Sequence, residues 1–304
     1  MKIIFIGTTE FGIPTLEKLK RNHELVLVIT QPDKPAGRKR DLASPPVKVW
    51  AEKNNIPVAQ SESISNLKTQ ILSLEPDLII VAAYGQIIPK EILDIPKFKS
   101  INIHGSLLPK HRGASPIQAA ILNQDKEIGI TLIQMDEKMD HGPIIAKEVV
   151  RLEGTETFPD LYKALSVTAA DLIMKTLPGW FDGSIKATEQ NHGQATFTKL
   201  IQRQDAKIDW SQTAKVIDAQ IRALNPEPGT WTTLNGKTVK IIKASILPHN
   251  KIELPGKIYP HEGAAAVKTL DNGLLLLLVQ PEGKAVMSGK DFFNGLKPNQ
   301  RLFI

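Results

Sequence analysis

The stretch KIIFIGTTEFGIPTLEKLKRNHELVLVIT at residues 2–30 decides the fold, because it joins an apolar strand to a helix and then to a second apolar strand. The first strand, at 2–7, stops at a glycine, and the second spans 24–30. Two more apolar runs follow, PDLIIVAAYG at 76–85 and KSINIHG at 99–105. Apolar strands that alternate with helices indicate a parallel sheet covered on both faces.

The rest of the chain extends this sheet and then changes pattern. Two further strands are predicted at 127–136 and 143–152. After residue 224, about five short strands separated by Gly, Asn and Pro indicate a small closed barrel. Helices are predicted at 47–54, 64–74, 115–123, 155–177 and 208–224. We therefore predict an N-terminal domain at 1–184, a linker at 185–206 and a C-terminal domain at 207–304.

The composition of the chain excludes several classes of protein and of site. The 304 residues are 41% hydrophobic and 23% charged, which is ordinary for a globular protein. The longest apolar run, GLLLLLV at 273–279, has the length of a strand and is too short for a membrane span. The absence of cysteine excludes disulfides, thiolate metal sites and a cysteine nucleophile. No leader segment is recognisable, so a cytoplasmic enzyme is expected, and a monomer is expected because no heptad or large apolar face is visible.

Positive charge is concentrated towards the C-terminus. The formal net charge is +6, and residues 209–304 carry 12 Lys and Arg against 8 Asp and Glu, whereas residues 1–208 carry 26 against 24. Such an excess favours a polyanionic partner, although a merely basic surface explains it equally well. The loop QPDKPAGRKRD at 31–41 follows a predicted strand, and it could bind phosphates or simply be solvated. Its basic residues are Lys34, Arg38, Lys39 and Arg40.

The segment INIHGSLLP at 101–109 carries the strongest chemical signal. Asn102 and His104 lie two residues apart on a predicted strand, so their side chains project from the same face. Asp140 follows in MDHGPI and could orient the imidazole or hold it charged. This set suits an acyl-type transfer through a tetrahedral intermediate, although a single histidine on a strand is more often structural. No His, Asp or Glu set has zinc-type spacing, so no metal is predicted.

Two glycine-containing turns are less specific. GTTEFG at 7–12 has Thr9 where a dinucleotide-binding loop requires its middle glycine, so a tight strand-to-helix turn is favoured over nicotinamide binding. VAAYGQIIP at 81–89 places Tyr84 and Gly85 at a strand end. Gly85 would let the backbone approach a flat heterocycle closely, and a plain turn is equally consistent.

The pattern N-x-H-x-S-L-L-P-x-x-R-G from Asn102, followed by D-x-G-P-I at Asp140, resembles the 10-formyltetrahydrofolate-dependent formyltransferase family. KIIFIGTTEFG, TQPDKPAGRKR, SPPVKVWA, VAAYGQIIP, IDWSQTA and IRALNPEPGTW extend the resemblance over essentially the whole chain. They resemble the branch of the family whose acceptor is methionyl-initiator tRNA. Where that family usually has Gly-Leu-Asp-Thr-Gly, this chain has Lys138-Met139-Asp140-His141-Gly142.

The resemblance implies an α/β fold, with a Rossmann-like doubly wound N-terminal sheet and a small OB-like β-barrel at the C-terminus. It implies formyl transfer from 10-formyltetrahydrofolate to the α-amino group of methionyl-initiator tRNA in translation initiation. A formyltransferase acting on an amino-sugar nucleotide is the alternative within the family, and a non-catalytic RNA-binding module is the alternative outside it. The implied residues are catalytic Asn102, His104 and Asp140; folate-binding Ser106, Leu107, Leu108 and Pro109, with Tyr84 and Gly85 nearby; and tRNA-binding Lys34, Arg38, Lys39 and Arg40.

Overall fold

The computed structural model describes residues 1–36, 41–248, 253–297 and 301–304. Two compact units make up the chain. The first consists of Met1–Pro116, Glu127–Arg151 and Leu161–Lys199, and the second of Ile117–Lys126, Leu152–Asp160 and Leu200–Ile304. The predicted domain limits at 184 and 207 stay a prediction.

The first unit is built on a seven-stranded sheet. The strands of this unit are β1 (Lys2–Gly7), β2 (Glu24–Thr30), β3 (Lys34–Ala36), β4 (Asp41–Ala43), β5 (Val58–Gln60), β6 (Leu78–Ala82), β7 (Ser100–His104), β8 (Arg112–Gly113), β9 (Glu127–Gln134), β10 (Ile144–Arg151) and β11 (Phe197–Thr198). The order in the main sheet is β10-β9-β7-β6-β1-β2-β5, while β3 pairs with β4 and β8 with β11.

Strand direction follows the sequence prediction in part. Strands β7, β6, β1, β2 and β5 are mutually parallel, as the alternation of strands and helices predicts. Strands β9 and β10 run antiparallel to the strands with which they pair, so the sheet is mixed at this edge, a feature that the sequence did not predict. Only a short loop joins β9 to β10, and short connections join antiparallel strands.

Helices occupy most of the connections. They are α1 (Ile13–Asn22), α2 (Pro46–Lys53), α3 (Lys68–Ser73), α4 (Lys90–Leu93), α5 (Pro116–Leu122), α6 (Phe158–Asp182), α7 (Ala214–Leu224) and α8 (Gly289–Asn294). Short 3-10 turns lie at Glu10–Gly12, Ile64–Leu67, His192–Gln194 and Arg203–Ala206. Among the described residues, no helix combines the length and apolar composition that a membrane span requires.

Close packing explains the glycines of the first strand-to-helix turn. A Cβ on Gly12 would lie 2.6 Å from the ring of Phe5, and a Cβ on Gly7 would lie 2.6 Å from the carbonyl oxygen of Ala82. Phe5 is fully buried on β1. These glycines therefore serve packing of the turn, in agreement with the structural interpretation of GTTEFG.

The second unit contains a six-stranded antiparallel sheet, ordered β12-β13-β16-β15-β14 with β17 beside β16. Its strands are β12 (Trp231–Leu234), β13 (Lys237–Leu247), β14 (Ile258–His261), β15 (Ala264–Lys268), β16 (Gly273–Pro281) and β17 (Met287–Ser288). The end of the chain pairs with both edges of the sheet. Phe303 bridges to Leu234 at one edge, and Leu302 bridges to Lys257 beside the other. These pairings curl the sheet towards a closed barrel, and the predicted fold class is confirmed for both halves of the chain.

The helix predicted at 208–224 begins later, at Ala214. Thr213 caps it, since its Oγ1 accepts a hydrogen bond from the Val216 amide. The preceding residues are held by the barrel core, because Trp210 is buried and its indole N–H donates to Thr232 Oγ1 at 3.0 Å.

Candidate active site

Strand β7 presents Asn102 and His104 on one face at the carboxyl end of the parallel strands. Ligands of doubly wound sheets bind at this edge. Asn102 Nδ2 donates to Oδ1 of Asp140 at 3.2 Å, and His104 Nδ1 lies 3.4 Å from the same oxygen. The three predicted catalytic side chains are therefore brought together, although Asp140 is distant from the other two in sequence.

Backbone contacts fix the orientation of the His104 ring. Its Nε2 lies 2.9 Å from the carbonyl oxygen of His111. A carbonyl can only accept, so Nε2 carries a hydrogen and donates it. The ring is buried, with a side-chain exposure of 6%. Nδ1 is thus the nitrogen that faces Asp140, and a hydrogen on it would point to the oxygen that Asn102 also contacts.

Asp140 lies in the loop between β9 and β10 with a φ of 50°, in the left-handed region that is uncommon for residues other than glycine. Its second carboxylate oxygen, Oδ2, accepts from the Gly113 amide at 2.8 Å. Its backbone carbonyl accepts from Gln190 Nε2 at 2.9 Å. The surrounding structure therefore determines both the backbone and the carboxylate of this residue.

The loop predicted to bind folate, residues 106–109, follows β7 directly. Thr131 on β9 holds it, since Oγ1 accepts from the Leu108 amide at 3.1 Å and donates to the Ser106 carbonyl at 2.6 Å. Lys147 Nζ donates to the Leu108 carbonyl, and burial lowers the pKa of this ammonium. Leu107 is only half-buried, while Leu108 and Ser106 are buried.

Tyr84 and Gly85 lie just after β6 and offer different atoms to a ligand. The Tyr84 ring packs in the core with Ile6, and burial raises the pKa of its phenol to about 12. Its carbonyl oxygen accepts from Thr8 Oγ1 and Gln31 Nε2. Gly85 has a φ of 86°, and a Cβ there would meet no atom within 4 Å. A planar ligand at this position would therefore contact Gly85 and backbone.

The basic loop is described only at its start. Lys34 lies on β3 and is exposed, whereas Arg38, Lys39 and Arg40 lie outside the described residues. Asp33, just before β3, accepts from Lys48 Nζ at 2.9 and 3.0 Å and from Gln60 Nε2 at 2.8 Å. These bonds hold the pKa of the Asp33 carboxyl below its usual value.

The sequence did not reveal how much of the site depends on residues 188–198. This segment lies inside the predicted linker, yet Gln190, Thr196 and Thr198 bond to the loops around Asp140 and Arg112. The segment has almost no periodicity, and no motif in it indicates a contact with the site. Arg112 is buried, and its Nη2 donates to Gln190 Oε1 at 2.7 Å.

His141, the residue that departs from the family pattern, has contacts of its own. Its Nδ1 donates to Asp136 Oδ2 at 2.6 Å. Its ring stacks on that of His192, with centroids 4.0 Å apart and planes 4° from parallel. In the described parts of the chain, no group of three or more His, Cys, Asp or Glu side chains is placed to hold a metal ion.

The mixed sheet carries an Asn, a His and an Asp at the edge where ligands bind, an arrangement typical of an enzyme. Comparison with known proteins gives the family. The formyl transferase family model matches residues 1–177, and the model of the formyl transferase C-terminal domain matches residues 200–297. The chain belongs to the formyl transferase family. It is 40% identical to the methionyl-tRNA formyltransferase of Lactobacillus acidophilus over 96% of this chain and 95% of that protein. It is 42% identical to the methionyl-tRNA formyltransferase of Bacillus subtilis over 97% of this chain and 94% of that protein.

Solved structures share the fold at lower identity. One is WlaRD, a sugar 3N-formyl transferase crystallised with dTDP and 5-N-formyl-THF, with a TM-score of 0.68, 22% identity and coverage of 94% of this chain and 99% of that one. Another is HypX from Aquifex aeolicus in complex with tetrahydrofolic acid, with a TM-score of 0.64, 17% identity and coverage of 97% of this chain and 47% of that one. These likenesses concern the fold alone.

Proposed function

We propose that this protein transfers the formyl group of 10-formyltetrahydrofolate to the α-amino group of methionyl-initiator tRNA. The observation that carries the chemistry is the convergence of Asn102 Nδ2 and His104 Nδ1 on a single oxygen position. The named relatives, which are about 40% identical over nearly the whole chain, support this acceptor.

The two donors suit a reaction that builds negative charge on an oxygen. The folate supplies the formyl group, and attack by the neutral amine of the acceptor on the formyl carbon would put charge on the formyl oxygen. The bond from the formyl carbon to N10 would then break, and N10 would leave with one proton in exchange for the proton that the amine loses. Asn102 Nδ2, and His104 Nδ1 when it carries a hydrogen, would donate hydrogen bonds to that oxygen, which would lie beside the position that Asp140 Oδ1 takes here. One such donor typically contributes about 10²–10³ in rate.

Asp140 is suited to handle the proton of the attacking amine. Its carboxylate is 11% exposed, so it is largely shielded from water. The Gly113 amide holds Oδ2, which leaves Oδ1 facing the two donors. We assign to Asp140 the roles of orienting the His104 ring through Oδ1 and of receiving the proton that the amine loses.

The surroundings of the site support a folate molecule. Residues 106–109 form a loop fixed at the ligand edge of the sheet, and Gly85 leaves open space at the neighbouring strand end. We assign Ser106, Leu107, Leu108 and Pro109 to folate contact, with Gly85 and the backbone of Tyr84 beside them. Lys34, Arg38, Lys39 and Arg40 are assigned to the phosphates of the acceptor, because they are cationic and follow β2 in the sequence.

The roles of the domains, the oligomeric state and the location are assigned to match this function. We propose that residues 1–184 carry folate and catalysis, that 185–206 connect the domains, and that 207–304 bind tRNA. We also propose a monomer that acts in the cytoplasm, where initiator tRNA is charged and used.

A comparison of two acceptors tests the function. The protein is incubated with 10-formyltetrahydrofolate and either methionyl-initiator tRNA or dTDP-3-aminofucose, the ligand of a structurally similar N-formyltransferase from Helicobacter canadensis. Mass analysis of the hydrolysed tRNA product should give N-formylmethionine, and the sugar should stay unmodified. Formylation of the sugar in place of the aminoacyl-tRNA would contradict the proposal.

A further inference from the structure

Residues 188–198 lie against both loops that carry the site, which are the β9–β10 loop with Asp140 and the loop that follows β7. Thr188 exchanges two backbone hydrogen bonds with Ile144, at 2.7 and 2.8 Å, directly after the Asp140 loop. Strand β11 pairs with β8, directly after the folate-binding loop. The segment is thereby anchored at both ends within the first unit, and Gln190 lies between the two anchors.

Gln190 is buried, with an exposure of 5%, and its side-chain amide is fully engaged. Nε2 donates to the backbone carbonyls of Asp140, at 2.9 Å, and Gly142, at 2.8 Å. Oε1 accepts from Arg112 Nη2 at 2.7 Å. Two carbonyls cannot donate and a guanidinium cannot accept, so these partners permit only one orientation of the amide.

The contact with Asp140 falls on the backbone rather than on the carboxylate. Asp140 adopts a φ of 50°, which needs support from its surroundings. The hydrogen bond from Gln190 to the Asp140 carbonyl fixes the plane of the peptide that follows Asp140. This plane in turn fixes the direction in which the Asp140 side chain projects from the loop. The carboxylate then reaches Asn102 and His104 with Oδ1 and the Gly113 amide with Oδ2.

We propose that Gln190 is a positioning residue for formyl transfer, which sets the orientation of the Asp140 carboxylate through its backbone. The expected effect on the rate of transfer rests on the proposed function, whereas the structural coupling of Gln190 to Asp140 does not. It assigns to the predicted linker a part in catalysis that requires no contact between Gln190 and either substrate.

Two substitutions test the role, with a matched control. Gln190→Glu keeps a partner for Arg112 but replaces both donated hydrogens with an oxygen that repels the two carbonyls. Gln190→Met keeps the length and removes all three bonds. Gln194→Glu makes the same chemical change at an exposed position of the same segment. We expect kcat to fall about 10- to 100-fold in both Gln190 variants with KM for each substrate within about threefold, since a misplacement of about 1 Å can cost 10²-fold in rate.

A spectroscopic measurement on the free protein separates positioning from general damage. In ¹⁵N-histidine-labelled protein, the His104 ring signals, assigned by their loss in His104→Gln, report the distance of Asp140 from Nδ1. They should move in both Gln190 variants and stay in place in Gln194→Glu, and the main thermal transition should remain cooperative in all of them.

The outcomes distinguish this inference from the proposed function. Unchanged His104 signals, or a rate loss no larger than the loss of folded protein, would overturn the role of Gln190. If the wild-type protein did not formylate methionyl-tRNA but the His104 signals moved as expected, the proposed function would be wrong and the coupling of Gln190 to Asp140 would stand.

Discussion

Asn102 and His104 leave the same face of one strand and approach the same atom, Oδ1 of Asp140, at 3.2 and 3.4 Å. Neither residue reaches this arrangement by its own local structure alone. Strand periodicity places the two side chains on one face, and the β9–β10 loop brings the acid to them. The geometry of the site therefore depends on the sheet edge and on the β9–β10 loop together.

The loop at 106–109, which we propose binds the folate, should depend on the hydroxyl of Thr131. Thr131→Val preserves the shape but leaves the buried Leu108 amide and Ser106 carbonyl without this partner. We expect a loss of about 1–3 kcal/mol in the free energy of unfolding and a higher KM for the folate, measured by urea unfolding and steady-state kinetics. Thr30→Val is the control, because the Thr30 hydroxyl is buried without a hydrogen-bond partner among the described residues. Equal effects of the two changes would refute this role.

The loop that carries Asp140 should not tolerate a side chain at Gly142. A Cβ there would lie 1.9 Å from the backbone oxygen of Gln134, which cannot move without disturbing β9. Gly142→Ala should lower the free energy of unfolding by about 1–3 kcal/mol. Gly193→Ala adds a Cβ whose nearest atom is 3.4 Å away, and its unfolding midpoint should match the wild type. A Gly142→Ala protein as stable as the Gly193→Ala protein would show that this backbone is not closely packed.

Stability in mild acid should depend on His23, which follows α1 and packs edge-on against Phe181. Burial lowers the pKa of this imidazole below its ordinary value of 6.5. The unfolded chain therefore takes up the proton first as the pH falls, and stability is lost from about pH 6.5 downward until the folded-state pKa is passed. Urea unfolding at about pH 7.5 and about pH 5 should show a smaller loss for His23→Gln than for the wild type. Identical losses would mean that His23 titrates alike in both states.

Binding of tRNA should depend on Arg38. Arg38→Ala should weaken tRNA binding and lower the slope of log affinity against log salt by about 0.7–0.9, as expected for one lost phosphate contact. Protection against thermal unfolding by the folate should be unchanged. Arg21→Ala, which removes the same charge from an exposed position near the end of α1, should leave the slope as it is. A parallel loss of folate protection in Arg38→Ala would point to misfolding.

Much of the fold could be predicted from the sequence because its strands are continuous apolar runs. KIIFIG, ELVLVIT and KSINIHG need no context to be recognised, and the spacing of Asn102 and His104 follows directly from strand geometry. The three residues of β5 are too few to show a period, and the direction of β9 and β10 depends on pairing rather than on composition. Gln190 could not be found in this way, because its role comes from three contacts distant in sequence.

A double-mutant cycle on formyl transfer tests whether Asn102 and His104 stabilise the same oxygen. The single-turnover rate is measured for the wild type, Asn102→Ala, His104→Ala and the double variant, with both substrates saturating. If the two residues act together on one oxygen, each single change should slow transfer by about 10²-fold or more, and the double variant should be within about tenfold of the slower single variant. A near-normal rate in either single variant, or effects that simply multiply, would contradict the account.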